Sequence, residues 1–346
     1  MAGSHMEVIN SGQEDRQLLS SQNAADTQIH LSIEECRSAV KSVFASTSCY
    51  DLISSSSKTI VFETTIPFQL AFYALTEHDT SVAPLWDPAQ HAFTGLMTIA
   101  DYLQALKLCR KENVTMMELS TRSIADLLHS PGFNFQHPDF SSIDAEDSVQ
   151  MMCFFLNRQA TNFVPILNPD DGTLVSILGY IDLIHLLDQA SKQHPELFQT
   201  RLDEMNISVI DNTQSALITT PLLTILESVE HYDGGIPIVD DAGTVVGIYH
   251  KADFTFVMKA ADPQAVLTNL ETFTVEDVLK LQARDKEAGE GGALTPPLVT
   301  CTMGDQISDI LAVMMQARSD TVIVLDEKRK FVGTVSVREI VKFYLL

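Results

Sequence analysis

The sequence has few positive charges. Lys and Arg total 22 against 46 Asp and Glu, which gives the 346 residues a formal net charge of −24. A surface of this charge repels phosphate backbones and anionic headgroups, so we expect no nucleic acid and no membrane among the partners. The content of 45% hydrophobic and 20% charged residues is otherwise that of a globular protein.

Long apolar segments and paired cysteines are also missing. The densest apolar run, residues 149–156, contains Gln150 and is far shorter than the ~20 residues needed to cross a bilayer. The five cysteines are scattered and form no CxxC pair, which predicts neither a zinc site nor a disulfide framework. Free thiols of this kind are typical of a reducing cytosol. We therefore expect a cytoplasmic protein, with the nucleus as the alternative location.

The motifs of common enzymes are absent from the sequence. It contains no HExxH, GxSxG, Walker A or Rossmann glycine pattern, and its ten histidines show no ligand-like spacing. The sequence therefore predicts a protein that is not an enzyme and has no metal site. A catalytic function would need a nucleophile or metal cluster where the repeats described next meet.

The sequence does contain one unit that is repeated four times. Each copy has an amphipathic helix, a short apolar strand, a turn, a second apolar strand and an acidic residue that opens another helix. The first strands are residues 83–87, 164–168, 236–240 and 322–326, and the acidic residues are Asp101, Asp182, Asp253 and Glu339. The interval from Pro84 to Asp101, or from its equivalent, is 16 or 17 residues in every copy. Such regular spacing indicates a true internal repeat.

The acidic residues have two interpretations. A helix begins with unpaired backbone N–H groups, and a carboxylate at Asp101, Asp182 or Asp253 can accept a hydrogen bond from one of them. The same carboxylates could instead contact a ligand. The residues alone leave both interpretations open.

The units are expected to fold in pairs. A single unit of about 60 residues buries too little apolar surface to be stable alone, so four copies predict two pairs, divided within the polar stretch 189–212. Residues 1–31 are predicted to be a cloning tag followed by a disordered tail. The first unit is predicted over 32–125, with an N-terminal helix opened by the capping box of Ser32 and Glu35. The other three units are predicted over 126–200, 201–272 and 273–346.

Several phrases of the sequence resemble one family. They are CYDLI at 49–53, SSK at 56–58, APLWD at 83–87, GLMTIAD at 95–101, PIVD at 237–240 and IYHKAD at 248–253. The repeated unit resembles the CBS domain, and the whole arrangement, from about residue 49 to 346, resembles the gamma subunits of AMP-activated protein kinases. The resemblance implies an α/β fold of four CBS units, each a small sheet with two helices, paired into two Bateman-type modules that form a flat disc.

The resemblance also implies a function. It predicts a non-catalytic regulatory and scaffold subunit of a heterotrimeric energy-sensing Ser/Thr kinase, with a catalytic alpha subunit and a beta subunit as partners. The ligands would be AMP, ADP or ATP, with no cofactor certain. In this family aspartates at the strand-to-helix step hold the ribose, and Arg, His and Lys hold the phosphates. The residues that match the family's ribose acids and their neighbours are Asp101, Asp182, Asp253, Ser336 and Glu339. The candidate phosphate contacts are Lys251 and Arg338. The alternative for Arg338 is a solvated position on the surface.

Most phosphate-binding cations of the family are replaced in this sequence. The positions that lack them are Ser81, Asn162, Phe163, Asp320 and Thr321. A charge-assisted hydrogen bond contributes roughly 1.5–3 kcal/mol, so losing several removes on the order of 5 kcal/mol, or three to four powers of ten in affinity. The sequence therefore predicts weakened nucleotide sites. The alternative is a stand-alone CBS sensor of a neutral or adenosyl ligand, which co-purification with a kinase subunit would distinguish.

Overall fold

The computed structural model describes residues 33–53, 59–78, 80–112, 118, 121–159, 161–205, 207, 209, 215–228, 235–254, 269–280 and 298–345. The predicted tail at 1–31 and the Ser32 side of the capping box lie outside these residues. Helix α1 covers residues 33–46, where the sequence predicts a helix, and buries Cys36, Val40 and Phe44.

The four units follow one another in the predicted order. The first contains β1 (Phe62–Glu63), α3 (Phe68–Glu77), β2 (Val82–Asp87), β3 (Ala92–Thr98) and α4 (Ile99–Glu112), after the short helix α2 (Cys49–Leu52). The second contains β4 (Ile143–Asp144), α6 (Val149–Gln159), β5 (Phe163–Leu167), β6 (Leu174–Gly179) and α7 (Tyr180–Gln193), after α5 (Ile124–Leu128).

The second half repeats this order of elements. The third unit contains β7 (Ala216–Leu217), α8 (Leu222–Ser228), β8 (Ile236–Val239), β9 (Val245–Tyr249) and a 3-10 turn (Lys251–Asp253), after the 3-10 turns Pro195–Leu197 and Leu202–Glu204. The fourth contains β10 (Thr300–Thr302), α10 (Ile307–Ala317), β11 (Thr321–Leu325), β12 (Phe331–Ser336) and α11 (Val337–Leu345), after a helix α9 over residues 275–280.

The four sheets have the same topology. In each, the middle strand pairs parallel with the short first strand and antiparallel with the third. Each antiparallel pair also shifts register near the end of its middle strand: at Leu85/Trp86, Ile166/Leu167, Ile238/Val239 and Val324/Leu325. Because bulges are positioned features of a sheet, their recurrence confirms the repeat. The parallel pairing begins one residue after Pro84, Pro165 and Pro237, so on that side the missing N–H costs no ladder bond.

The turns between the second and third strands also repeat. Each contains a residue in the left-handed region: Gly172 and Gly243 in the second and third units, and His91 and Arg329 in the first and fourth. Glycine takes this conformation without a steric cost, whereas a residue with a side chain pays a small one. The glycine turns of the second and third units are therefore the less strained ones.

Within each half of the chain, the units exchange short helices. Cys49 N–H of α2 donates to the Asp147 carbonyl of the second unit, whereas Ala125 N–H of α5 donates to the Thr64 carbonyl of the first. The same exchange links Leu202 with the fourth unit, through the Asp305 carbonyl, and helix α9 with the third. The short helix before each unit therefore docks on the other unit of its pair, which confirms the predicted pairing of the first with the second and of the third with the fourth.

Two large cores then join the pairs to each other. One core combines the first and third units, where Phe72 stacks on Tyr102 at 3.9 Å and both rings lie within 6.2 Å of Phe254. The other combines the second and fourth units through α7, α10 and α11. Helix α1 packs into this second core, although the predicted domain bounds place it with the first unit. The domain bounds themselves stay predictions.

Candidate functional site

The four acidic residues all cap the helical segment that follows the third strand of their unit. In each case the carboxylate accepts a hydrogen bond from the backbone N–H three residues earlier. The donor–acceptor distances are 2.7 Å from Gly179 to Asp182, 2.6 Å from His250 to Asp253 and 3.1 Å from Ser336 to Glu339. The Ser336 hydroxyl also donates to Glu339. The capping interpretation is thus confirmed, and it leaves at most part of each carboxylate for a ligand.

Asp101 has both of its carboxylate oxygens engaged. Oδ2 accepts hydrogen bonds from the N–H and the hydroxyl of Thr98 at 2.7 and 2.8 Å, and Oδ1 accepts one from Gln136 N–H at 2.7 Å. The side chain is completely buried, and burial raises its pKa to about 6 despite these bonds. Asp101 is therefore the least available of the four acids for a ribose.

The segment before the second unit covers Asp101 from outside. Leu96 N–H donates to the His137 carbonyl at 3.0 Å, so this segment lies along β3. Gly95 permits the close approach, because a Cβ there would come within 2.7 Å of the His137 carbonyl oxygen. Through Gln136 N–H, the segment occupies the Oδ1 side of the Asp101 carboxylate.

Asp182 lies at a more open place. Its Oδ2 accepts the Gly179 N–H, and in the described part of the chain no other residue donates to its Oδ1. Burial raises the pKa of this carboxyl, with the Gly179 bond partly opposing the shift. Asp182 lines a groove of about 770 Å³ between α1, α2, α7 and the end of α10. The other lining residues are Val43, Ser46, Thr47, Asp51, Leu52, Ile53, Ile181, Ile184, His185, Leu186, Gln189, Ala190, Gln193, Met315 and Arg318.

Asp253 is buried beside two further polar groups. The Tyr249 hydroxyl and the Nε2 atom of His250 are buried and have no hydrogen-bond partner among the described residues. Burial lowers the pKa of His250 to about 4, so the ring is neutral at pH 7. Burial also raises the pKa of Tyr249, and the nearby carboxylate of Asp253 adds to the shift. The side chains of Asp253, Tyr249 and His250 therefore carry no positive charge at pH 7.

The predicted phosphate positions of the second and fourth units meet in one cleft. Its lining consists of Asn162, Tyr180, Asp320, Thr321, Ser336 and Arg338. Arg338 is half-buried and hydrogen-bonds Tyr180, so the prediction of a solvated surface arginine is wrong. The cavity is only about 10 Å³, room for about one water molecule, and the acidic Asp320 shares it. In this form the cleft is too small for a phosphate group.

Three other sequence-predicted positions lie elsewhere. Phe163 contacts the His137 ring, with the ring centroids 5.2 Å apart. The pKa of His137 is lowered by burial and, to a smaller extent, by the charge of Lys251, which places Lys251 nearby. Ser81 is exposed and its carbonyl accepts a bond from Ile99 N–H. Lys251 and Phe163, from different units, therefore approach each other through His137.

Sequence reasoning missed Gln136, His137 and His250 as parts of these sites. His250 could have been found, because it occupies the place of Thr98, Gly179 and Ser336, three residues before the acid of its unit. Gln136 and His137 belong to the connecting segment, which has no counterpart in the repeat. Their role depends on the exchange of short helices, which the sequence does not reveal.

Across the described ranges, no group of three or more His, Cys, Asp or Glu side chains is placed to hold a metal ion. The helices in the same ranges are all too short or too polar to span a bilayer.

Comparison with known proteins finds a CBS-domain match and relatives among kinase gamma subunits. The CBS-domain family profile matches residues 291–346. The gamma subunit of 5'-AMP-activated protein kinase from Dictyostelium discoideum is 24% identical over 362 aligned residues, covering 99% of this chain and 59% of that protein. Human subunit gamma-3 is 24% identical over 303 residues, covering 86% of this chain and 59% of that protein. The chain thus spans about 59% of the length of these relatives.

A solved structure shows the same fold. It is a protein from Methanocaldococcus jannaschii, described as a proposed archaeal homologue of the kinase gamma subunit, with a TM-score of 0.67 at 14% identity. The match covers 86% of this chain and all of that one. The chain is therefore similar to gamma subunits of 5'-AMP-activated protein kinase over most of its length, and its residues 291–346 match the CBS domain.

Proposed function

We propose that the chain is a non-catalytic regulatory and scaffold subunit of gamma type in a heterotrimeric energy-sensing Ser/Thr kinase, and that its adenine-nucleotide site is the groove at Asp182. The observation that carries the proposal is the combination of four complete CBS units with one ribose-type acid that still faces open space. Its relatives are gamma subunits of 5'-AMP-activated protein kinase by name.

The groove at Asp182 suits the nucleoside part of the ligand. A volume of about 770 Å³ lies within the range of small-molecule sites, and its walls combine apolar side chains with a few polar groups. The Oδ1 atom of Asp182 can accept a hydrogen bond from a ribose hydroxyl while Oδ2 keeps the helix cap. Ile181 and Ile184 offer apolar contact to a base.

The same groove holds phosphate weakly. Arg318 is the one permanently charged cation in its lining, and Asp51 opposes it. With Arg318 as the one such cation in this lining, we expect affinities for AMP, ADP and ATP three to four powers of ten below those of a site with several cations, from the lack of about 5 kcal/mol. Each added phosphate should therefore bring little or no gain in affinity.

Calorimetric titration of the purified chain with AMP, ADP and ATP tests the ligand. We expect weak binding that Asp182→Asn reduces at least tenfold. Asp171→Asn is the matched control, because it removes the same charge from an exposed turn. Equal affinities of the two variants would contradict the assignment to Asp182, and tight binding of ATP would contradict the weakened phosphate grip.

Co-expression with kinase alpha and beta subunits tests the scaffold role separately. A stable 1:1:1 complex that survives gel filtration is the expected result. A chain that elutes alone under the same conditions would overturn the kinase assignment, whatever the nucleotide result.

A second candidate is a sensor of a neutral or adenosyl ligand. The apolar walls at Asp182 and the small number of cations favour it. Adenosine in the same titration separates the two: adenosine that binds more tightly than AMP, together with no kinase complex, would favour this candidate.

A further inference from the structure

Two helices expose apolar side chains that the fold does not require. Leu70 and Tyr73 on α3 are 55% and 42% exposed, and Met151 and Phe154 on α6 are 52% and 40% exposed. Within each pair the residues are three apart, so they lie side by side on the helix surface. We call these four residues the apolar helix face.

The four residues occupy equivalent positions of the repeat. Leu70 and Met151 are third, and Tyr73 and Phe154 sixth, in the first long helix of their units. The same positions are exposed in the other two units, where they hold Thr224 and Glu227 on α8 and Asp309 and Ala312 on α10. The fold thus accepts polar or small residues at these positions, so packing within the chain does not explain the large apolar side chains of the first pair.

In the sequence, the residues around α3 and α6 carry few positive charges. The sequence has no Lys or Arg between Lys58 and Lys107, and between residues 123 and 191 it has only Arg158. Glu63 and Glu77 are exposed near α3, and Asp144 and Glu146 are exposed just before α6. An apolar surface with an acidic border is complementary to a segment that carries apolar anchors flanked by Lys or Arg.

We propose that the apolar helix face is a docking surface for a basic amphipathic segment of a partner protein. Aromatic and long apolar side chains at exposed positions are typical anchors of protein interfaces. The partner presents apolar residues at helical spacing to α3 and α6, and its Lys and Arg side chains face Glu63, Glu77, Asp144 and Glu146. The proposal rests on the regulatory function proposed above and adds to it the surface and the charge of the partner.

The repeat supplies matched substitutions for the test. L70T/Y73E introduces the residues of the third unit at the same two positions, and M151D/F154A introduces those of the fourth. Both sets already occur at exposed positions of this fold, so the variants should keep their circular dichroism spectrum and urea midpoint close to wild type. V246T is the control, because Val246 is an exposed apolar residue on β9 of the third unit.

The probe is an 18-residue Leu/Lys amphipathic peptide, with its Leu/Glu counterpart as the charge control, measured by fluorescence anisotropy on the full chain. We expect binding of the Leu/Lys peptide, at least tenfold weaker in each double variant and unchanged in V246T, with no binding of the Leu/Glu peptide. Equal binding by wild type and both double variants would overturn the proposal. So would concentration-dependent dimerisation of the wild type that the double variants abolish, because the occupant would then be a second copy.

Capture of the kinase subunits distinguishes this inference from the proposed function. If L70T/Y73E and M151D/F154A still form the 1:1:1 complex as well as wild type does, the docking surface is wrong and the regulatory role stands. If the wild type forms no such complex but binds the Leu/Lys peptide through these residues, the kinase assignment is wrong and the docking surface stands.

Discussion

At the scale of single residues, Asp101 shows how a capping role competes with a ligand role. An acid at a helix start is useful to both, since its oxygens accept hydrogen bonds from backbone N–H groups or from ribose hydroxyls. In the first unit Thr98 and Gln136 take both oxygens, whereas in the second unit only Gly179 donates to Asp182 from another described residue. Residues that are equivalent in sequence therefore differ in what they can still bind.

The burial of Asp101 predicts a pH-dependent stability. Its pKa in the folded protein is about 6, above the 3.8 of an exposed carboxyl. The folded state thus holds this proton more tightly than the unfolded state, so the associated stability is fully present below pH 4 and is lost as pH rises through 6. Asp101→Asn cannot titrate. Between pH 4 and pH 7 its free energy of unfolding, measured with urea, should gain about 2 kcal/mol relative to wild type.

The control variant, Asp171→Asn, is expected to change the free energy of unfolding in the opposite direction with pH. Hydrogen bonds from Thr173 lower the pKa of the exposed Asp171 carboxyl, so its stabilising effect is present at neutral pH and is lost as pH falls. Asp171→Asn should therefore lose stability relative to wild type as pH rises towards 4, and the difference should change little between pH 4 and pH 7. A pH-independent difference between Asp101→Asn and wild type would show that Asp101 does not titrate with a raised pKa.

The candidate site was only partly predictable from single residues. The acids were found because they recur at one interval, and their capping role follows from their position at a helix start. The availability of each acid was not predictable, because it depends on a connecting segment such as residues 134–138 and not on the repeat. The alternative of a solvated surface position for Arg338 failed for the same kind of reason: its partner Tyr180 belongs to another unit.

At the scale of elements, close approach of the backbone to Gly95 holds the connecting segment on β3. Gly95→Ala would place a Cβ 2.7 Å from the His137 carbonyl oxygen and 3.1 Å from that of Pro138, and neither backbone atom moves easily. We expect this variant to lose about 1–3 kcal/mol of stability in urea unfolding, in line with overpacked sites. Amide exchange should also become faster in the segment around Gln136.

Gly172→Ala is the control for Gly95→Ala, because it makes the same change at a glycine with open space around it. Gly172 has a φ of +68°, but no atom lies within 4 Å of its added Cβ, so the cost is backbone strain alone, about 1 kcal/mol. Amide exchange around Gln136 should be unaffected by this change. If both variants accelerated exchange there equally, the contact with Gly95 would not be what holds the segment.

The elements themselves were the most predictable part of the structure. Helix, strand, turn and strand each follow from local periodicity, and the four copies confirm one another, so α1 and the four sheets lie where the sequence predicts them. The exchange of short helices was not predictable. The N–H of Cys49 reaches the carbonyl of Asp147, 98 residues away, and no local pattern specifies such a contact.

At the scale of the whole molecule, two kinds of contact connect the units in two different pairings. Short helices and strand contacts tie the first unit to the second and the third to the fourth, as with the small cluster of Val239, Ile323 and Phe331. The large cores tie the first to the third and the second to the fourth. Every unit is therefore held to two others, and dividing the chain between its pairs cuts both cores.

Fragments of the chain test this interlocking. Residues 1–194 and 195–346 each contain one complete pair, but each alone would expose to water one face of both large cores, including those around Phe72 and Leu311. Because exposed apolar surface of this size is costly, we expect each fragment to bind a hydrophobic dye and to unfold without a cooperative transition. Mixed at equal concentration, they should form a 1:1 complex with the circular dichroism of the intact chain.

The chain cleaved after His194 by an inserted protease site is the control and should stay associated. If each fragment unfolded cooperatively and the two did not associate, the pairs would be independent domains.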